Sequence, residues 1–122
     1  MQDKDTDKET IMIIRDGQPP IRFKGERIGY GCPDQGDDTR GTNVSIYETG
    51  GGKYVGKIER WTRWQGESGH TKAASFAGFS GLIEWLKEDC GDDKLGSISQ
   101  EAIEDAIKTR PGLRILFVEE VE

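Results

Sequence analysis

The apolar positions of this chain change period once. Up to about residue 76 they come in short or alternating runs, and beyond residue 79 they fall at helical spacing. Ile11-Met12-Ile13-Ile14 is a β-branched run closed by the turn pair Asp16-Gly17. Pro19-Pro20 then keeps the chain extended into Ile21-Arg22-Phe23-Lys24, which alternates with the period of a half-buried strand. Arg27 to Tyr30 continues it past a bend at Gly25, and residues 31–42, GCPDQGDDTRGT, read as a loop.

The strongest local signal is a hairpin. Asn43 to Thr49 and Lys53 to Trp64 flank Gly50-Gly51-Gly52, and glycine supplies the positive φ that tight turns need. A two-residue turn sets Val44 opposite Lys57 and mixes the faces. A three-residue turn sets Val44 opposite Ile58, Ile46 over Gly56 and Glu48 opposite Tyr54, which gathers the apolar side chains on one side, so it is preferred. A second turn at residues 65–69 leads to a further strand, His70 to Phe76.

Two helices follow. Phe79, Leu82, Ile83 and Leu86 fall at i, i+3, i+4 and i+7 with Trp85 at the stripe's edge, and Ser80 is the expected N-cap. The second helix opens at Ser97 or Ser99: Ser97 with Gln100 fits a capping box, and Ser99 lets Ile98 staple onto Ile103. Its inner face is Ala102, Ile103, Ala106 and Ile107, and Pro111-Gly112 ends it. Leu113 to Val118 is apolar enough for a closing strand, with Ile11 to Ile14 as a conceivable neighbour. Strands first and helices later predict an α+β fold: an antiparallel β-meander of about four to six strands packed on one face by two C-terminal helices. Residues 1–10 read as a disordered charged tail and residues 11–122 as one domain.

Composition narrows the class. At 122 residues the chain can bury roughly two-thirds of its unfolded surface, so a core needs neither metal nor disulfide. Only 33% of residues are hydrophobic and 17 are glycine, which predicts a thin core. The net charge of −6 disfavours bulk attraction to nucleic acid or anionic lipid. No apolar run reaches bilayer length, and MQDKDTDKET lacks the apolar core of a signal peptide. Cys32 and Cys90 stand apart and read as free thiols, so a cytoplasmic protein is expected.

Few motifs carry chemistry. Asp34, Asp37 and Asp38 share a loop, but Thr39 and Gly41 stand where a calcium loop places ligands, so no metal is expected. Gly29-x-Gly31 lacks the third glycine of a dinucleotide loop, Asp34 standing there instead, and no cofactor follows. His70 is the one histidine, Cys90 sits among Glu88, Asp89, Asp92 and Asp93, and no serine lies in a G-x-S-x-G turn; no catalytic residue is assigned. Glu101, Glu104 and Asp105 belong on the solvated side of a helix.

The distinctive cluster is Lys57, Arg60, Trp61, Arg63 and Trp64, with Lys72 across the turn. Alternation sends Lys57, Trp61 and Arg63 to the side opposite Ile58, where an exposed indole beside cations has the composition of a binding hot spot, the alternative being that the helix pair or a sheet twist beyond Ile58 covers Trp61. The expectation is a non-catalytic protein-interaction or regulatory module, docking through this strand or a free sheet edge. Its alternatives are single-stranded nucleic-acid binding by the same residues, an acidic imitation of a phosphate backbone, and a small enzyme with a non-local site.

Overall fold

The triple-glycine hairpin is the centre of the molecule. In a computed structural model, which describes residues 9–32, 40–62, 66, 69–90 and 96–117, its arms are β3 (Arg40–Thr49) and β4 (Tyr54–Thr62). Val44 pairs with Ile58, Ile46 with Gly56 and Glu48 with Tyr54, the register that apolar alternation favours. Gly52 takes φ +84°, a backbone that L side chains rarely adopt, and its N–H donates to the Thr49 carbonyl at 3.0 Å. The remaining strands, β1 (Glu9–Arg15), β2 (Gln18–Gly31) and β5 (His70–Phe76), complete an antiparallel meander in sequence order. Helices α1 (Phe79–Cys90) and α2 (Ser97–Thr109) pack on it, giving the α+β fold.

One face holds the main core. Ile28, Val44, Ile46 and Ile58 from the sheet meet Phe79, Leu82 and Leu86 of α1 and Ala102, Ile103 and Ala106 of α2. The backbone of α2 comes down on β2 at Gly29 and Gly31. A Cβ at Gly29 would stand 2.4 Å from the Ala102 carbonyl oxygen, and one at Gly31 2.2 Å from that of Ile98. These glycines, discounted above as a phosphate loop, are the seat of a helix.

The other face is covered too, in part by the sheet itself. β2 is long: its first half pairs with β1 and its second half with β3, with a bulge between Arg27 and Gly29. The β1–β2 hairpin lies over the face turned from the helices and packs Ile11, Ile13, Ile21 and Phe23 against Tyr47, Val55 and Ala73. Its turn comes to rest on the outer edge of β5. The Asp16 N–H donates to the Thr71 carbonyl at 3.1 Å, the Thr71 N–H donates to the Asp16 carboxylate at 3.0 Å, and Arg15 Nη1 donates to the Ala73 carbonyl at 3.0 Å. Unpaired strand edges invite unwanted pairing, and this contact blunts one of them.

Five local expectations are revised, the first being that β3 begins at Arg40, within the stretch 31–42 read as a loop. Residues Pro111–Phe117 form a 3-10 helix rather than the closing strand expected from Leu113 onward; the Leu113 N–H donates to the Arg110 carbonyl at 3.0 Å and its side chain is buried. A proline at a helix's first position loses nothing by lacking an N–H, so Pro111 starts this turn as readily as it ends α2. The N-cap of α2 is Gly96, with no side-chain cap hydrogen bond, and the Gln100 amide side chain donates to Glu104 at 2.9 Å instead of closing a capping box. Helix α1 opens at Phe79, so Ser80 lies inside it. Strand β1 begins at Glu9, two residues earlier than expected; residues 1–8 lie outside the described residues, as do 33–39.

Candidate functional site

A strand sends consecutive side chains to opposite faces, and this divides the cluster singled out in the sequence. Lys57 and Trp61 lie on the face away from the helices, where Lys57 Nζ sits 3.3 Å from a Glu59 carboxylate oxygen. Trp61 is half-buried: its Nε1–H donates to Asn43 Oδ1 at 3.2 Å and its ring lies against Gly41, whose missing side chain leaves the room. Its parity places it on the sheet face opposite the one that α1 and α2 cover. Arg60 points the other way, to the helix side. Arg63 and Trp64 lie outside the described residues. The three described members therefore form no single patch.

Arg60 belongs to a different group. Near the C-terminal end of α1, the Asp89 carboxylate accepts from Nη1 and Nη2 of Arg60, at 3.3 and 2.5 Å, and from Lys72 Nζ at 3.0 Å. The Asp89 side chain is only 9% exposed. Burial is the largest single influence on its acidity and raises its pKa. The hydrogen bonds from Arg60 and Lys72, with their charges, together outweigh burial and hold the carboxyl below the ordinary value. Asp89 is thus withdrawn from the acidic surface that an imitation of phosphate would need. The sequence put Lys72 near Arg60 across the turn, but nothing local pointed to Asp89, since the three come from β4, β5 and α1.

Beside the hub lies a cleft of about 730 Å³ along the outer edge of β5. The β1–β2 turn walls one side and Trp85 the other, with Ala73 and Ala74 between them. Trp85 leans on Phe76, ring centroids 5.5 Å apart, and its six-membered ring overlies Gly56. His70 stands at this rim, exposed, with Nδ1 3.4 Å from the Asp16 carboxylate.

A second, smaller hollow of about 410 Å³ is lined by Arg27, Tyr30 and the α2 residues Glu101, Glu104, Asp105 and Lys108. There the Tyr30 N–H donates to the Asp105 carboxylate at 3.0 Å and the Arg27 guanidinium stacks 4.4 Å from the Tyr30 ring centroid. Burial, then the neighbouring Cys32, raise the pKa of the Tyr30 phenol. At the far end of α2, Arg110 bridges two facing carboxylates, Glu48 at 3.0 Å and Glu26. Among the described residues no three His, Cys, Asp or Glu side chains are grouped to hold a metal, and no helix is long and apolar enough to cross a membrane.

The outer face of the β1–β2 hairpin is apolar at Met12 and Ile14, on a free sheet edge of the kind that sequence reasoning allowed without saying which. Met12 is 57% exposed and Ile14 73%, the exposed large hydrophobic residues among those described, and both stand on the edge strand. The signal was present in the run Ile11 to Ile14: alternation obliges two of four consecutive apolar side chains to face outward once the others turn in. Arg22 lies opposite Met12 and Lys24 opposite Thr10, both exposed. No protein-family model, curated protein or solved structure matches this chain.

Proposed function

We propose that the chain is a non-catalytic protein-interaction module that receives an extended segment of a partner along β1. The supporting observation is the exposure of Met12 and Ile14 side by side on a strand at the sheet's edge. Strand addition draws affinity from main-chain hydrogen bonds and specificity from alternate side chains. Here β1 offers both: one flank with no hydrogen-bonded strand beside it except where β5 meets Arg15 at its end, and two apolar side chains of one parity to meet the apolar positions of the guest. Arg22 and Lys24 share the outer face with Met12, so they favour a guest that carries acidic residues on the same parity as its apolar ones, toward the Thr10 end.

A displayed library of linear peptides, selected against the intact chain, tests the reading. Enriched peptides should carry apolar and acidic residues at every second position, on one face, perturb the backbone amides of β1 in NMR spectra, and lose binding to Met12→Ser/Ile14→Ser. Two exposed apolar side chains contribute little to folding, so the double variant should keep its stability within about 0.5 kcal/mol. Selection that enriches nothing, or peptides that bind the double variant equally well, would overturn the proposal.

A further inference from the structure

The cleft along β5 combines three features of a small-molecule site: concavity, a flat apolar wall and a local excess of positive charge. We propose that it binds a small aromatic anion, a flat ring carrying one phosphate or carboxylate group, with the ring against Trp85 and the anionic group toward Lys72 and Arg15. This reading rests on neither Met12 nor Ile14.

Charge supports the sign of the ligand. The permanent cations at the cleft are Arg15, Arg60 and Lys72, and the carboxylates that face them are Asp16 and Asp89, so three positive charges meet two negative ones. That local excess stands in a chain of net charge −6. Asp89 is shared by Arg60 and Lys72, whose side chains remain 44% and 52% exposed, so donors on both still reach solvent after the shared acid is satisfied. Arg15 has no carboxylate within 4.0 Å among the described residues; its Nε donates to the Pro19 carbonyl at 2.7 Å and its Nη1 to that of Ala73. The guanidinium is held in place by carbonyls, and its charge is not neutralised by them.

Shape supports the ring. Ala74, opposite Gly56 on the Trp85 side of β5, is small where the cleft needs depth, and Ala73 turns the other way into the core with Tyr47 and Val55. Gly56 lets the Trp85 indole sink against the sheet, because a Cβ there would come 2.7 Å from Cζ3, and Phe76 braces it from the side. The indole is therefore a fixed, half-exposed wall, and pockets of this size take flat apolar bodies oriented by a few polar groups.

The probes are phenyl phosphate, inorganic phosphate and benzylammonium, titrated into the full chain while the Trp85 indole N–H and the Lys72 and Ala74 amides are followed by NMR. Phenyl phosphate should shift these signals saturably at up to about 10 mM. Inorganic phosphate should bind more weakly and benzylammonium should leave them in place. Lys72→Gln should weaken phenyl phosphate about tenfold, the effect of losing a charged donor, while Lys53→Gln on the glycine loop removes the same charge elsewhere and should change nothing. Absence of saturable shifts, equal binding of benzylammonium or inorganic phosphate, or full affinity in Lys72→Gln would each overturn the proposal.

Discussion

At the scale of single residues, the side chains with the most defined roles are those that a sequence presents as ordinary surface charge. Asp89 reads as one of several acids around Cys90, yet it ties α1 to β4 and β5 through two cations. Its folded pKa lies below the unfolded one, so the folded carboxylate holds its proton less tightly. Its stabilisation is therefore complete above the unfolded value, about pH 4, and is lost as pH falls through the lower folded value. Asp89→Asn should cost about 1–3 kcal/mol at pH 7 in urea unfolding, and the deficit should shrink as pH falls below about 4. A deficit that is constant down to acid pH would mean that the carboxylate's charge is not what holds α1.

Elements were more legible than sites. The register of β3 and β4 followed from two facts in the sequence: three glycines between the arms, and Val44, Ile46 and Ile58 on one parity. The inner faces of α1 and α2 followed from helical spacing, and Phe79, Leu82, Leu86, Ala102, Ile103 and Ala106 are all buried. The 3-10 helix at Pro111–Phe117 was not legible, because a short apolar run has no period that separates strand from helix. Nor was the seat of α2, because a glycine pair does not say what approaches it. That seat makes a sharp prediction. Gly31→Ala sets a Cβ against the Ile98 carbonyl, a backbone atom that moves only if the helix moves, and should cost about 1–3 kcal/mol. Gly112→Ala, with nothing within 4 Å, should stay within about 0.5 kcal/mol, and equal thermal midpoints for the two variants would contradict the close approach.

For the whole molecule, the decisive feature is that a meander of consecutive strands doubles back until its first turn touches its last strand. No local pattern encodes this, since Asp16 and Thr71 are 55 positions apart and each looks like a turn or strand-end residue. The same geometry explains why the candidate sites escaped a linear reading: the cleft gathers its residues from β1, β4, β5 and α1, whereas the cluster read along β4 is split by the sheet. Asp16 acts there as a one-residue strand, giving its N–H to Thr71 and accepting the Thr71 N–H on its carboxylate. Asp16→Ala removes the acceptor and uncovers part of the β5 edge, with an expected cost of about 1 kcal/mol because the pair is exposed. Asp16→Asn keeps an acceptor and should restore most of it. Hydrogen exchange at the Thr71 amide should quicken in Asp16→Ala and return toward the parent rate in Asp16→Asn, and sedimentation should show self-association only in the alanine variant, whose edge is open to pairing. If Thr71 exchanges at one rate in all three proteins, the turn does not hold β5, and the cleft that both elements wall would lose its fixed shape.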